Sequence, residues 1–363
     1  MIHFIIGTRA QLIKTAPVMA ECARRGIPYN FIFFAQHRQT IYEIIDLFGI
    51  KRPDCVIGDT GQDLTDVKTL LRWASGVFWT GITGRRRIFR NDKKGVAIVH
   101  GDALPALLGA VLARVAGLRV AHLEAGLRSF NYRHPFPEEL IRVLIWKLHL
   151  ADCYFCPNAW ALGNVSPYPG EKFNTECNTL FDSLRMALDF KLEGEQALIP
   201  SEQYGIVTLH RFETLSNRQR MEEVMGIIDR ITKRIKLLFI LHPPTQEALR
   251  QLGYYETLAG NPRVELRPRY DYFRFIRLLE KSRFVITDGG SNQEECYYLG
   301  HPCLLLRHRT ERTEGLGENV VLSKFDPETI SAFIANPESY RRGMPRMKMM
   351  PSEMIVSVLK EYW

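Results

Sequence analysis

The chain has 363 residues, of which 46% are hydrophobic and 24% charged, and 48 Lys and Arg against 40 Asp and Glu give a formal net charge of +8. This length favours two domains of ordinary size, and the composition excludes a disordered chain. The excess of cations favours an anionic partner such as a nucleic acid, a membrane surface or a phosphorylated substrate.

The N-terminus and the cysteines indicate the compartment. The chain starts with an apolar strand instead of a basic leader and a cleavage site, no apolar run reaches the length of a membrane span, and the number of cysteines, seven, is odd. We therefore expect a cytoplasmic protein with no membrane association. Cys153 and Cys156 form a CxxC within a predicted strand, where positions three apart face opposite sides, so we expect core thiols and no metal site.

Short apolar strands alternate with longer helical patterns in the first half, which predicts a parallel sheet covered by helices. The predicted strands lie near 2–6, 29–34, 96–100, 119–123 and 152–156. The predicted helices lie near 11–25, 39–48, 104–116, 137–150 and 178–191. The basic run from Arg85 to Lys94 is interpreted as a solvated loop, since no nucleic-acid motif accompanies it, and 166–176 as a hinge.

A second series of strands and helices follows and predicts a second sheet. The predicted strands lie near 205–209, 236–241, 263–267, 283–287 and 302–306. The predicted helices lie near 217–234, 244–252, 270–281, 291–299, 327–335 and 352–361. The fold class is therefore α/β, with two Rossmann-like domains that face a cleft. Ligands of such sheets bind outside the carboxyl ends of the strands, so functional side chains are expected directly after strands.

Polar residues follow the strands of the first half. Gly7, Thr8 and Arg9 come after the first strand, and Lys14 lies one turn further on; glycine, backbone N–H groups and cations there suit an anion, although such a glycine is common in these sheets. Asp102 and Glu124 follow two later strands. Two carboxylates that lie close together push their pKa values apart, as in an acid–base pair.

A predicted helix then opens with Glu138 and Glu139 and reaches Arg142. The two glutamates are candidates for the same acid–base site. They also fit the acidic first turn that a helix dipole favours, and the sequence leaves both interpretations open.

The strongest single signal lies in the second half, where Gly289, Gly290 and Ser291 connect a strand to a helix that carries Glu295. Backbone N–H groups of such a turn can bind a diphosphate, and the glutamate can accept ribose hydroxyls. The loop 307–314 adds cations.

Other candidates follow strands of the second half. His210 and Arg211 follow one strand and His242 another, although a lone histidine is more often a core residue. Tyr270 and Tyr272 can stack on a base or belong to a helix-capping cluster with aromatic core residues.

These segments together resemble a known family. The chain is similar to bacterial UDP-N-acetylglucosamine 2-epimerases of the non-hydrolysing type in the order of GTRAQLIKTAPV, AQHRQ, VHGD, HLEAGLRS, PFPEE, VTLHRFE, TDGGSNQEE and RHRTERTE. The resemblance runs from Ile2 to about Leu322. It implies a B-type glycosyltransferase fold, with an N-terminal domain over 1–169, a UDP-binding domain over 170–345, and a last helix in 346–363 that crosses back to the first domain.

The resemblance also implies the reaction and the residues that perform it. The reaction is inversion at carbon 2 of UDP-GlcNAc to give UDP-ManNAc, for cell-surface polysaccharide precursors, by elimination of UDP and its re-addition to a 2-acetamidoglucal. No cofactor or metal takes part. The catalytic residues implied are Asp102, Glu124, Glu138 and His210. The substrate-binding residues implied are Arg9, Lys14, Arg142, Gly290, Ser291, Glu295 and Arg312. Tyr270 is a further substrate-binding candidate because its ring can stack on the base.

Some members of the family bind UDP-GlcNAc a second time, as an activator. The positions that match this allosteric site are Gln36, Gln39, Arg211 and His242. The resemblance also implies a homodimer.

The sequence departs from the family pattern at several positions, including Ala103, Ile141, Phe212 and Thr313. Alternatives therefore stay open: a hydrolysing epimerase that releases ManNAc and UDP, an epimerase for a related UDP-2-acetamido sugar, a glycosyltransferase, and a UDP-sugar-binding protein without turnover. The paired carboxylates argue against a glycosyltransferase, which needs space there for an acceptor.

Overall fold

The computed structural model describes residues 1–36, 41–59, 61, 67–132 and 136–362. The chain divides into two compact units, Met1–Met186 with Met347–Trp363, and Ala187–Arg346. Each unit contains a parallel sheet with helices packed on it. The predicted fold class, α/β with two Rossmann-like domains, is confirmed.

The sheet of the first unit has seven strands within the described residues, in the order β3-β2-β1-β4-β5-β6-β7, and every neighbouring pair is parallel. The strands are β1 Ile2–Ile6, β2 Tyr29–Phe34, β3 Cys55–Ile57, β4 Val96–His100, β5 Arg119–Leu123, β6 Cys153–Cys156 and β7 Glu171–Asn174. The helices between them are α1 Arg9–Arg24, α2 Ile41–Leu47, α3 Val67–Ile88, α4 Leu104–Val115, α5 Glu138–Lys147, α6 Ala159–Val165 and α7 Leu180–Asp189.

The second unit has a six-stranded parallel sheet in the order β10-β9-β8-β11-β12-β13. Its strands are β8 Tyr204–Leu209, β9 Lys236–Leu241, β10 Val264–Pro268, β11 Val285–Thr287, β12 Cys303–Leu305 and β13 Val320–Leu322. The helices that follow α7 are α8 Glu195–Leu198, α9 Phe212–Leu215, α10 Arg218–Thr232, α11 Pro243–Gln251, α12 Tyr255–Ala259, α13 Tyr272–Lys281, α14 Gly290–Leu299 and α15 Pro327–Ala335. The last helix, α16 Pro351–Leu359, belongs to the first unit.

The central strands explain why the sheets form. Every residue of β1, β2, β4 and β8 is buried. A strand that is buried on both faces needs a continuous apolar run rather than an alternating one, and helices on each side supply that cover. Cys153 and Cys156 lie in β6 as buried thiols, as predicted.

The basic run is a loop only in part: Arg85, Arg86 and Arg87 form the last turn of α3, whereas the cations from Arg90 to Lys94 lie in the exposed turn and bend before β4. The helix was missed although Trp73 and Val77 are buried at helical spacing. Cations in the last turn also interact favourably with the helix dipole. No helix among the described residues combines the length and the apolar composition that crossing a bilayer requires.

The segment 166–176, interpreted as a hinge, carries β7, which pairs with β6 as an edge strand. Its residues, Glu-Lys-Phe-Asn, are exposed or half-buried, so no apolar run marked it. The first unit continues to Met186. The three-residue strands β3 and β13 were missed for a related reason, because an edge strand needs little apolar sequence.

A buried carboxyl group joins α7 to α16. Asp182 of α7 accepts hydrogen bonds through Oδ1 from the hydroxyl and, at 3.2 Å, from the N–H of Ser352, at the start of α16. Burial raises the pKa of Asp182 to about 7, although both bonds from Ser352 favour the anion. Because an unfolded aspartate titrates near pH ~3.9, this group destabilises the folded state progressively as the pH rises from about 4 to about 7.

We predict that Asp182→Asn raises the thermal unfolding midpoint by a larger amount at pH 8 than at pH 5. Asparagine keeps the acceptor for Ser352 but carries no charge to bury, and the gain in unfolding free energy is expected to reach about 2–4 kcal/mol at pH 8. Thermal unfolding of both proteins across this pH range measures the difference. A difference that is the same at both pH values contradicts the prediction.

Candidate active site

The first candidate residues lie at the carboxyl ends of β4 and β5. These strands are parallel neighbours in which His100 lies opposite Leu123, and the N–H of Gly101 donates to the carbonyl oxygen of Leu123 at 2.9 Å. Asp102 and Glu124 therefore leave adjacent strands side by side. Gly101 has a φ of +64°, and a Cβ atom there would lie 3.4 Å from Oε1 of Glu124.

Glu124 is a buried carboxylate in an unusual backbone conformation. Its φ is +56°, in the left-handed region that L-residues other than glycine rarely adopt. Its Oε2 accepts hydrogen bonds from Nζ of Lys14 and from Nδ2 of Asn178, and both donors are buried. Backbone strain of this kind persists only where the surroundings enforce it, and it clusters at functional sites.

Asp102 is paired with Arg142. The guanidinium of Arg142, which is 2% exposed, donates through Nη2 to Oδ2 of Asp102 and through Nη1 to Oε2 of Glu139 at 2.7 Å. The side chain of Asp102 is 26% exposed. Each candidate carboxylate, Asp102 and Glu124, is thus in contact with one buried cation.

The neighbouring glutamates Glu138 and Glu139 have different surroundings. Glu139 is fully buried and, besides the bond from Arg142, accepts hydrogen bonds from Nε of Arg128 at 2.6 Å and from the N–H groups of Ser129 and Phe130 at 3.0 and 3.2 Å. Burial raises its pKa, but the N–H of Ser129 and the charges of Arg128 and Arg142 outweigh burial and lower it. Glu139 is therefore an ionised structural residue, whereas Glu138 is half-buried at the first position of α5.

Gln11 ties the start of α1 to the end of β4. Thr8 caps α1 by accepting a hydrogen bond from the N–H of Gln11 at 3.2 Å, and Oε1 of Gln11 accepts from the N–H groups of Gly7 and Thr8 at 3.0 and 3.1 Å. Its Nε2 donates to the carbonyl oxygen of His100 at 2.8 Å. Arg9 is half-buried at the first position of this helix, so α1 brings both Arg9 and Lys14 to this edge of the sheet.

Two residues of this site were missed by sequence reasoning. His122 lies inside β5, where its Nε2 lies 2.8 Å from the carbonyl oxygen of Gly101 and its Nδ1 accepts from the indole of Trp146 at 3.3 Å. Burial lowers its pKa to about 4, so the neutral imidazole holds Gly101 beside Asp102. Asn178 was missed because an asparagine before a helix usually indicates a cap.

In the second unit, Asp288 organises the end of β8. Its Oδ1 and Oδ2 accept hydrogen bonds from the N–H groups of His210 and Arg211 at 3.0 and 3.1 Å, and it is fully buried. Nδ1 of His210 also lies 3.6 Å from Oδ1 of Asp288. Asp288 comes directly after β11, where functional side chains are expected, but the sequence did not indicate what this residue does.

His210 is not a core histidine, because its side chain is 39% exposed. Loss of solvent around the rest of the ring lowers its pKa, and the charge of Asp288 opposes this. The ring of His242 lies 5.2 Å from that of His210, and burial followed by repulsion from His210 lowers the pKa of His242 to about 4. Both imidazoles are therefore neutral near pH 7, and His210 is able to accept a proton.

The turn after β11 enters α14 through two glycines that the packing requires. A Cβ atom at Gly289 would lie 2.5 Å from Cε1 of His210, and one at Gly290 would lie 2.9 Å from Nε of Arg312. Ser291 is half-buried in the first turn. Glu295 is buried one turn further on, and its Oε2 accepts from Nδ2 of Asn292 at 2.8 Å.

Two arginines of the loop 307–314, Arg307 and Arg312, each lie against a buried glutamate. Nη1 of Arg312 lies 2.8 Å from Oε1 of the fully buried Glu294. Glu311 accepts from Arg307 at 3.0 Å and from Arg211 at 3.4 Å. Burial raises the pKa of Glu311, but the charges of Arg307, Arg211 and Arg312 outweigh it and lower the pKa to about 2.

The remaining candidates are two tyrosines of the second unit and two glutamines that follow β2 in the sequence. Tyr270 is half-buried, and the next residue, Asp271, caps α13 by accepting from the N–H of Arg274 at 2.9 Å. Tyr272 is a buried core residue, as the capping interpretation predicts. Gln36 is half-buried directly after β2, and Gln39 lies outside the described residues. Over the described ranges, no group of three His, Cys, Asp or Glu side chains is arranged to hold a metal ion.

Comparison with known proteins decides the family. The family model described as UDP-N-acetylglucosamine 2-epimerase matches residues 20–352. The chain belongs to this epimerase family. This confirms the predicted family and the predicted enzyme class, an isomerase.

Relatives of this epimerase family align over nearly the whole chain. A UDP-N-acetylglucosamine 2-epimerase of Methanococcus maripaludis is 29% identical over 354 residues, which cover 91% of this chain and 89% of that protein. The structure of the Neisseria meningitidis epimerase bound to UDP-GlcNAc has a TM-score of 0.83 at 25% identity and covers 99% of both chains. That of the Methanocaldococcus jannaschii epimerase in complex with UDP-GlcNAc and UDP has a TM-score of 0.82 at 25% identity and the same coverage.

We predict that Gly289→Ala destabilises the protein by about 1–3 kcal/mol, because the added methyl group must displace His210 or Asn292. Gly226→Ala is the matched control, since Gly226 is exposed within α10 and a Cβ atom there meets no atom within 4 Å. The control is expected to stabilise the protein by about 0.5–1 kcal/mol. Thermal unfolding measures both, and equal effects of the two substitutions contradict the prediction.

Proposed function

We propose that this chain interconverts UDP-GlcNAc and UDP-ManNAc without hydrolysis. A carboxylate removes the proton from carbon 2 while the bond from carbon 1 to the diphosphate oxygen breaks, which leaves 2-acetamidoglucal and UDP. A proton then returns to carbon 2 from the opposite face, and the diphosphate oxygen adds back to carbon 1. The proton on carbon 2 is not next to a carbonyl group, so departure of the diphosphate assists its removal.

The observation that carries this proposal is the pair of carboxylates at the ends of β4 and β5, each in contact with a buried cation. A reaction that removes a proton and returns it to the other face needs acid–base groups around one carbon atom. Lys14 and Arg142 place a positive charge against Glu124 and Asp102, respectively. Glu138 and His210 are further proposed catalytic residues by their match to the family.

The proposed UDP site lies in the second unit, at the N-terminal end of α14. Gly289 and Gly290 keep side chains away from the N–H groups of the first turn, which favours an anion there. Ser291, Glu295 and Arg312 are the proposed contacts in this unit. Arg9 is proposed as a substrate-binding residue by its match to the family. Tyr270 is proposed to contact the base.

The relatives support the choice of ligand. The Neisseria meningitidis structure holds UDP-GlcNAc, and the Methanocaldococcus jannaschii structure holds UDP-GlcNAc and UDP. We extend this ligand class to the present chain. Activation by a second UDP-GlcNAc at Gln36, Gln39, Arg211 and His242, a homodimeric state and a cytoplasmic location stay predictions.

Proton NMR of the protein with UDP-GlcNAc in deuterated water tests the reaction. We expect signals of UDP-ManNAc to grow with deuterium at carbon 2, because the abstracted proton exchanges with solvent before it returns. Release of free UDP and ManNAc would establish the hydrolysing reaction instead. No product from any UDP-2-acetamido sugar would favour a binding protein.

Two variants are the controls for that experiment. Asp102→Asn and Glu124→Gln keep the size of each side chain but remove the base, so we expect no detectable turnover, with UDP affinity changed by less than roughly threefold. A variant that turns over at the wild-type rate removes its residue from the mechanism.

We predict that Glu295→Ala weakens UDP binding by roughly 2 kcal/mol, or about 30-fold in Kd, because a charged hydrogen bond to the ribose is lost. Isothermal titration calorimetry with UDP measures this. Glu222→Ala, at an exposed position of α10, is the control and leaves affinity unchanged. If the Glu295 variant binds UDP as tightly as the wild type, the ribose does not contact Glu295 and the prediction is wrong.

A further inference from the structure

Two donors of different kinds bind one oxygen of Glu124. Nζ of Lys14 and Nδ2 of Asn178 both donate to Oε2, and Asn178 is 3% exposed. An ammonium group at the end of a flexible chain stabilises charge but imposes little direction. A planar amide imposes a direction when its own orientation is fixed.

The orientation of the Asn178 amide is fixed by its other end. Its Oδ1 accepts from the N–H of Leu180 at 3.2 Å and from the hydroxyl of Thr179 at 3.4 Å. Because the oxygen faces these donors, the NH₂ group is directed at Glu124. The start of α7 therefore sets the orientation of the amide, and the amide in turn sets the orientation of the carboxylate.

Helix α7 is itself attached at two further points. The hydroxyl of Ser183 donates to the carbonyl oxygen of Ile13 at 2.6 Å, one residue before Lys14. Asp182 accepts from Ser352 at the start of α16. Ile355 of α16 lines the same small cavity as Glu124 and Asn178. Helix α7 therefore meets α1, α16 and the end of β5 within one part of the first unit.

We propose that Asn178 is a positioning residue for Glu124, held in place by the contacts of α7 with α1 and α16. Lys14 supplies the compensating charge, and Asn178 sets the direction of the carboxylate. Glu124 lies in a left-handed backbone conformation directly after β5, and the amide of Asn178 contacts its carboxylate there. The catalytic consequence rests on the proposed function, whereas the effect on Glu124 itself does not.

The first test follows the carboxyl carbon of Glu124 by ¹³C NMR during a pH titration, with the signal assigned by its loss in Glu124→Gln. In Asn178→Ala we expect the titration midpoint to rise by about one pH unit, because the anion loses a donor. In the isosteric Asn178→Asp we expect a larger rise, because a second carboxylate faces it. A midpoint unchanged from wild type in both variants overturns the proposal.

Asn164→Asp is the matched control. Asn164 also donates its amide to a group next to β5, the carbonyl oxygen of Gly126 at 2.8 Å, but it makes no hydrogen bond to Glu124. We expect the Glu124 midpoint to stay at the wild-type value in this variant. A rise equal to that in Asn178→Asp shows a general effect of added charge and overturns the proposal.

The second test is kinetic. In Asn178→Ala we expect kcat to fall roughly 10- to 100-fold with KM for UDP-GlcNAc changed by less than about twofold, since the base is misdirected while substrate contacts remain. Equal loss through KM and a lower unfolding midpoint, with the Glu124 titration unchanged, indicates a structural role and overturns the proposal. If wild-type protein does not epimerise, the proposed function fails, and the titration still decides the role of Asn178.

Discussion

The pairing of Lys14 with Glu124 is the constraint on which the first unit depends. Two opposite charges are buried together, and removing either one leaves an uncompensated charge that is costly to bury. Their contact requires α1 to start at Arg9 and β5 to end at Leu123, so it fixes one helix against the end of another strand. The other contacts of this edge follow from that register. Gln11 joins α1 to β4, His122 holds Gly101, and the guanidinium of Arg142 reaches Asp102.

Much of this arrangement follows from rules that a sequence contains. Continuous apolar runs predicted the central strands of both sheets, and the position directly after a strand predicted Asp102, Glu124 and His210 as candidates. Edge strands such as β7 were not predicted because an edge strand can form with few apolar residues. The contact of Asn178 was not predicted because its partner, Glu124, lies 54 residues away in the sequence, and only the tertiary structure brings the two together. The helical stripe of α3 was present in the sequence but was outweighed by its run of arginines.

Acidic residues near strand ends serve two different purposes here, and sequence position does not separate them. Asp288 and Glu139 are fully buried and accept hydrogen bonds from backbone N–H groups, which makes them part of the framework. Glu124 and Asp102 instead accept from side-chain cations and amides. Backbone N–H donors hold the chain around Asp288 and Glu139 in place, and Glu139 also shares the guanidinium of Arg142 with Asp102. Arg312, which we propose as a ligand contact, also forms an ion pair with Glu294 within the second unit.

The discontinuity of the first unit has a consequence for synthesis on the ribosome. The whole of the second unit leaves the ribosome before α16 does. Until then Asp182 has no Ser352 to donate hydrogen bonds to it. In that interval the carboxyl group is hydrated and ionised at neutral pH. In the folded chain burial raises the pKa of this group to about 7, so closure of the first unit takes up a proton at pH values between about 4 and 7. Docking of α16 is therefore coupled to protonation of Asp182, so a more acidic medium favours it and a more alkaline one opposes it.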